Sequence, residues 1–244
     1  MKKKTEWIMV AVLIFAAVFA APKSAEYVMS MKAKEAAPVV VIDPGHGADD
    51  PGKVGVSGTN EKDLNLEIAL RLRDYLAGQG IRVVMTREED VSLAEDGATS
   101  VKVSDLKKRV EIIEKAGAVL AVSIHQNSYT DDSVSGAQVF YYGDSVQGEL
   151  LAGMLQKSLI EYLDPSNTRK AKSNESYYIL KKTSVPTVIV ECGFLSNPEE
   201  EALLNEEEYQ EKIVAAIYEG IAEYLEQSAA DYKSEAGGEE QQEL

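Results

Sequence analysis

The 244-residue sequence carries 41 acidic residues against 25 basic ones, a formal charge of −16, with only two histidines, His46 and His125, and one cysteine, Cys192. At 45% hydrophobic and 27% charged residues it can bury a core without staples. The acidic balance opposes phosphate and excludes a generic nucleic-acid binder, and a single cysteine excludes disulfide scaffolds and cysteine-rich zinc fingers.

In chain order, Lys2, Lys3 and Lys4 precede an uninterrupted apolar run over 7–21, the positive and apolar regions of an export signal. At about 1.5 Å per residue that run reaches roughly 22 Å, short of a ~30 Å hydrocarbon core. Residues 1–22 are therefore read as an export signal or an N-terminal membrane anchor. Either reading places the rest of the chain outside the cytoplasmic membrane, because the lysines stay inside. Removing 1–20 takes away three lysines and one glutamate, leaving 22 basic against 40 acidic residues and a charge of −18.

A polar linker over 23–37 leads to a β-branched apolar run at 38–42, the pattern of a strand buried on both faces. A glycine-rich loop over 43–60 follows, too long for a mere connection. Asn60 is expected to cap a helix with Asp63 at its third position, and Leu64, Ile68, Leu72 and Leu76 recur at helical spacing until Gly78 and Gly80. A strand at 81–86 completes a βαβ unit. The pattern repeats with a helix capped by Ser104, a strand at 119–124, a strand at 136–142 and a helix from Ser145 to Asp164-Pro165. A buried-strand run at 186–190 follows, then a helix opened by Asn197-Pro198 and a last helix with Tyr209, Ile213, Ile217, Ile221 and Tyr224 on one face. From Gln227 the Gly/Glu/Gln-rich sequence reads as a disordered acidic tail over 227–244. The alternation predicts one α/β domain over 38–226, with a mixed, mainly parallel sheet flanked by helices on both faces.

In such sheets, sites form where loops leave the carboxyl ends of strands. His46 follows the first strand, His125 follows 119–124 directly, Glu191 follows 187–190 directly, and Glu61 opens the helix that starts from the same edge. Two imidazoles and a carboxylate form a recurrent catalytic zinc set that leaves a position for water, and a further carboxylate can take that water's proton. On placement alone the plainer readings stay open: a structural histidine at a strand end, and a glutamate held by the helix dipole. Glu191 resists a plain reading, since a carboxylate directly after a buried strand needs a partner. Cys192 reads as a small buried thiol rather than a nucleophile. Arg169, Lys170 and Lys172 form a basic patch in an acidic chain that either meets carboxylates of a ligand or is a solvated loop. Tyr141, Tyr142, Tyr177 and Tyr178 read as core or edge residues.

The stretches Val41-Ile42-Asp43-Pro44-Gly45-His46-Gly47, Asn60-Glu61-Lys62-Asp63-Leu64-Asn65-Leu66, Ser123-Ile124-His125-Gln126-Asn127-Ser128 and Val190-Glu191-Cys192-Gly193-Phe194-Leu195-Ser196-Asn197 resemble, in order, the four signature blocks of the zinc-dependent N-acetylmuramoyl-L-alanine amidases of the amidase-3 family. Asn167-Thr168-Arg169-Lys170-Ala171-Lys172 and the segment 135–143 further resemble the germination-specific, spore-cortex branch of that family. The resemblance covers 38–226. It implies a mainly parallel sheet of about six strands, Zn2+ bound by His46, Glu61 and His125, and Glu191 as the catalytic carboxylate. It also implies peptidoglycan as substrate, a role in cortex maturation through muramic-δ-lactam formation, and a place in the cell wall, at the outer face of the membrane or between the forespore membranes. An envelope protein activator is a further expected partner. Asn127 is the candidate substrate-binding side chain if the chain turns after His125. The sequence departs from the pattern at Cys192 and at Asp49-Asp50-Pro51, neither of them an implied ligand. Rival readings are another zinc peptidoglycan amidohydrolase, either a peptidase or a deacetylase, and a catalytically silent wall-binding protein.

Overall fold

The structure, a computed structural model, describes residues 37–239, with side chains described over 37–230. The export or anchor segment at 1–22, nearly all of the linker and residues 240–244 lie outside the described residues. Among the described residues no helix is long and apolar enough to cross a membrane.

The elements run β1 (Val39–Pro44), α1 (Glu61–Gly78), β2 (Arg82–Met85), α2 (Val101–Lys115), β3 (Leu120–Asn127), β4 (Gln138–Tyr141), α3 (Val146–Leu163), β5 (Lys172–Ser173), α4 (Tyr178–Lys182), β6 (Thr187–Phe194), α5 (Pro198–Leu204) and α6 (Glu207–Glu239). They form one six-stranded sheet in the order β2-β1-β3-β6-β4-β5. Every adjacent pair is parallel except β4 with β6. The expected mixed, mainly parallel α/β fold is the observed one.

The period-2 alternation of strand side chains divides the core between the two faces of the sheet. Val40, Ile42, Val122, Ile124, Val188 and Val190 point to one face, against Leu64, Ile68, Leu72 and Leu76 of α1, Leu151, Leu155 and Leu159 of α3, and Ile213, Ile217 and Ile221 of α6. Val41, Ala121, Ile189 and Phe140 point to the other, against Ile113 of α2 and Ile179 and Leu180 of α4. Both faces are covered, which is why the three central strands read as continuous apolar runs.

Three local expectations change. Helix α2 begins a turn earlier than expected: its cap is Ser100, whose Oγ accepts from the Val103 N–H, while Ser104 Oγ accepts from the Glu95 N–H outside the helix. Asn60 occupies the cap position of α1 without a capping bond, because its amide donates to Asp63 Oδ2 at 3.0 Å. Helix α6 continues past Gln227 to Glu239, since Glu226, Gln227, Ala229 and Ala230 are good helix formers even with little to bury. The other caps are as expected: Ser145 accepts from Gly148, and Asn197 accepts from Glu199 and Glu200 ahead of Pro198. Strand β5 and helix α4, two and five residues long, carry too few positions for a periodic signal.

Candidate active site

The carboxyl ends of β1, β3 and β6 lie side by side, so the residues that leave them are neighbours by register. Asp43 pairs with Ser123, and His125 pairs with Glu191. Paired residues on adjacent strands share a face, which puts the His125 and Glu191 side chains together.

His46 reaches the same place by an unusual backbone. It and Ala48 are the non-glycine residues with positive φ, at 63° and 51°. Such a turn is costly for an L-residue and persists only where its surroundings hold it. Here two arginines do so. Arg109 Nη2 donates to the His46 carbonyl at 2.6 Å and its Nη1 to the Pro44 carbonyl at 2.6 Å, while Arg87 donates to the carbonyls of Pro44 and Gly45, both at 3.0 Å. Glycine is required at 45 because a Cβ there would overlap the His125 imidazole.

The three proposed ligand side chains meet. His46 Nε2 lies 3.2 Å from Glu61 Oε1, His125 Nδ1 lies 2.9 Å from the same oxygen, and the imidazoles meet edge to face at 5.0 Å. One donor atom from each falls within 4.8 Å of the others, and among the described residues this is the group that could hold a metal ion. Glu61 also accepts from the N–H groups of Lys53 and Gln126. Burial alone would raise its pKa, but hydrogen bonds and charge from His125 and His46 hold the carboxyl well below the usual range. Burial likewise would lower the His46 pKa, and the carboxylates of Glu61 and Asp50 raise it instead.

Glu191 stands apart. It is 6% exposed and its Oε2 has no hydrogen-bond partner. Burial pushes its pKa up from 4.5 to about 7, against an opposing pull from His125. A carboxyl poised there exchanges protons near neutrality, as a general base must. Cys192, next in the chain, points into the opposite core with no exposure, and burial drives its thiol far above the usual range, so it is no nucleophile.

The chain does not turn after His125, so Asn127 lies two residues further along the same strand. Strand β3 continues through it, and its Oδ1 accepts from the Ser128 N–H at 2.8 Å. Two residues that sequence reasoning gave no role in the site, Asp50 and Tyr177, couple to this cluster. Asp50, noted only as a departure, bonds His46 Nδ1 through Oδ2 at 2.9 Å, leaving Nε2 to face the cluster. Half-buried Tyr177 packs edge-on against Phe140 at 5.7 Å, and burial together with the charges of Glu191 and Glu61 pushes its phenol up to about 12. Neither had a local pattern, though an acid four residues past a candidate ligand was a usable hint for Asp50.

The family described as N-acetylmuramoyl-L-alanine amidase matches residues 40–223. The chain belongs to this family. Its activity is accordingly hydrolysis of peptidoglycan at the N-acetylmuramoyl-L-alanine amide. The chain is 43% identical to the germination-specific N-acetylmuramoyl-L-alanine amidase of Bacillus subtilis over 190 residues, covering 77% of this chain and 79% of that one. It is 32% identical to the Escherichia coli amidase AmiA, over 77% and 76% of the two chains. Among solved structures, the CwlD amidase of Clostridioides difficile in complex with the GerS lipoprotein superposes with a TM-score of 0.75 and 41% identity, over 78% of this chain and 98% of that one.

Proposed function

We propose that this amidase holds zinc through His46, Glu61 and His125 and cleaves the bond between N-acetylmuramic acid and L-alanine with Glu191 as its general base. The observation that carries the reading is the buried Glu191 carboxyl, its Oε2 without a hydrogen-bond partner, directly across the β3–β6 pair from His125. Two imidazole nitrogens and one carboxylate oxygen suit zinc, which when bound makes a water nucleophilic near neutral pH and polarises the amide carbonyl. Glu191 takes the proton of the attacking water and returns it to the amine that leaves as L-alanine. Digestion of purified peptidoglycan tests the reading: the expected products carry new L-alanine amino termini on intact stem peptides. Freed glucosamine amines or shortened peptides would transfer the chain to the deacetylases or peptidases, and no products from zinc-loaded protein would make it a silent wall binder.

Similarity to the germination-specific relative supports a role in spore-cortex maturation, outside the cytoplasmic membrane, with an envelope protein as activating partner. Deletion is expected to leave spores lacking muramic-δ-lactam, and a defect confined to separation of vegetative cells would overturn that role.

Asp50 acts here through His46. A ligating imidazole is oriented by the acceptor on its other nitrogen, and loss of that acceptor typically costs about 10–100-fold in metal affinity. Asp50→Asn is expected to weaken zinc binding by about that factor in a chelator-competition titration, with the far-ultraviolet circular dichroism unchanged. Unchanged zinc affinity would remove Asp50 from the site.

A further inference from the structure

Beyond the reacting bond, a second group at this edge of the sheet is built to receive an anion. Arg169, in the loop before β5, is fixed from three directions. Its Nε donates to the Ser135 carbonyl at 2.8 Å, its Nη1 to Gln138 Oε1 at 3.3 Å, and its guanidinium lies 4.7 Å from the centre of the Phe194 ring. The loop behind it is tied down as well, with Asn167 donating to the Ala137 carbonyl and Gln138 to the Lys170 carbonyl. A planar cation stacked on an aromatic ring and held by neutral acceptors keeps its remaining N–H groups for a ligand.

Register places that cation beside the cleavage point. Gln138 is the antiparallel partner of Glu191, so both side chains rise from the same face. The irregularity in the β3–β6 pairing has the same effect on Phe194. It shifts the register between His125/Glu191 and Asn127/Phe194, so that Phe194 shares the face of Asn127 and His125 although it lies three residues past Glu191. Without the extra residue the ring would turn into the opposite core, and Arg169 would have no platform.

The charges around Arg169 leave it available. Glu200, whose carboxylate feels the Arg169 charge, is held by the N–H groups of Gly136 and Phe194, at 2.9 Å and 2.8 Å. Asp164 couples to Glu200, and Lys170 and Lys172 stand exposed in the same loop. Among the described residues no carboxylate pairs with the guanidinium, in a chain whose net charge is −16. The stem peptide is itself anionic, so a cation at the groove must offset that repulsion.

We propose that Arg169 is a specificity residue that binds the first free carboxylate of the stem peptide beyond the scissile amide, on its second residue. Two residues of extended peptide span about 7 Å, enough to pass the cross-strand step of about 5 Å from Glu191 to Gln138, whose side chain holds Arg169. The proposal rests on the amidase reading, with cleavage beside Glu191.

The test uses the full zinc-loaded chain, its Arg169→Gln and Arg169→Lys variants, and two muropeptides that differ only in a carboxylate or a carboxamide on the second stem residue. A charge-assisted hydrogen bond contributes roughly 1.5–3 kcal/mol, and each 1.4 kcal/mol is tenfold. Wild type is expected to favour the carboxylate substrate by at least about tenfold in KM. That ratio should collapse to about one in Arg169→Gln and fall between in Arg169→Lys, with kcat moving far less than KM. A wild type that treats both substrates alike, or a preference that survives in Arg169→Gln, overturns the proposal while leaving the amidase assignment intact. A wild type that cleaves the amide of neither substrate overturns both.

Discussion

Replacing Glu191 by glutamine is expected to lower kcat on muropeptides by about 10²–10⁴-fold, the usual worth of a positioned general base, while zinc affinity stays within about threefold of wild type. The side chain keeps its volume and loses only its ability to take a proton. Glu191 is not one of the three donors and its Oε2 bonds none of them, so the ligands keep their arrangement. His125→Ala is expected to lose both turnover and zinc, because it removes one of three donors. Stability should move in the opposite direction from activity. The Glu191 pKa rises on folding from 4.5 to about 7, so the folded state binds the extra proton and stability falls as pH rises across that window. In the metal-free protein, Glu191→Gln removes this loss and should be the more stable form above pH 7 in urea unfolding. A Glu191→Gln enzyme with near wild-type kcat would end the assignment of Glu191 as the base.

What made the domain legible was burial on both faces of the sheet. It forces continuous buried runs at 39–42, 120–124 and 187–190, β-branched in the first and last, and each run is followed directly by a polar residue, so strands and site residues were visible together. Elements without that constraint were not. Strand β5 is an exposed two-residue edge, and helix α4 is a single turn or so. The parts of the site that were missed act through space rather than along the chain. Arg109 reaches the His46 carbonyl from 63 positions away, and Tyr177 meets Phe140, the sheet partner of Ile189, only through the fold. The course of the chain at Asn127 was hidden for a related reason. Whether a strand ends or continues past a histidine depends on its partner, and the β6 irregularity that carries β3 onward has no marker in β3 itself.

Asp43→Ala is expected to destabilise the domain by about 3–5 kcal/mol, the penalty for leaving one partner of a buried ion pair alone. Asp43 and Arg109 are 1% and 2% exposed, with Oδ1 and Nη1 at 2.7 Å, away from bulk solvent. Burial by itself would raise the Asp43 pKa, yet the Arg109 charge and hydrogen bonds from Ser123 and Thr86, each at 2.6 Å, hold it below the usual range. A depressed carboxyl contributes stability that is present above its unfolded pKa and lost as pH falls through the folded one, so wild type should lose part of its margin over Asp43→Ala only in acid. The same cluster reaches the reaction. Arg109 binds Asp43, Asp105 and the carbonyls of Pro44 and His46 with one guanidinium, and the left-handed turn at His46 depends on that grip. Asp43→Ala should therefore weaken zinc binding as well, although Asp43 touches none of the three donors. Thr86→Ala, which removes one hydrogen bond and no charge, should cost only about 1 kcal/mol and leave zinc affinity unchanged. Urea unfolding paired with zinc titration on both variants checks the pattern. A loss below about 1 kcal/mol for Asp43→Ala would mean that Arg109 finds another partner, and that the His46 turn is held by Arg87 and local packing alone.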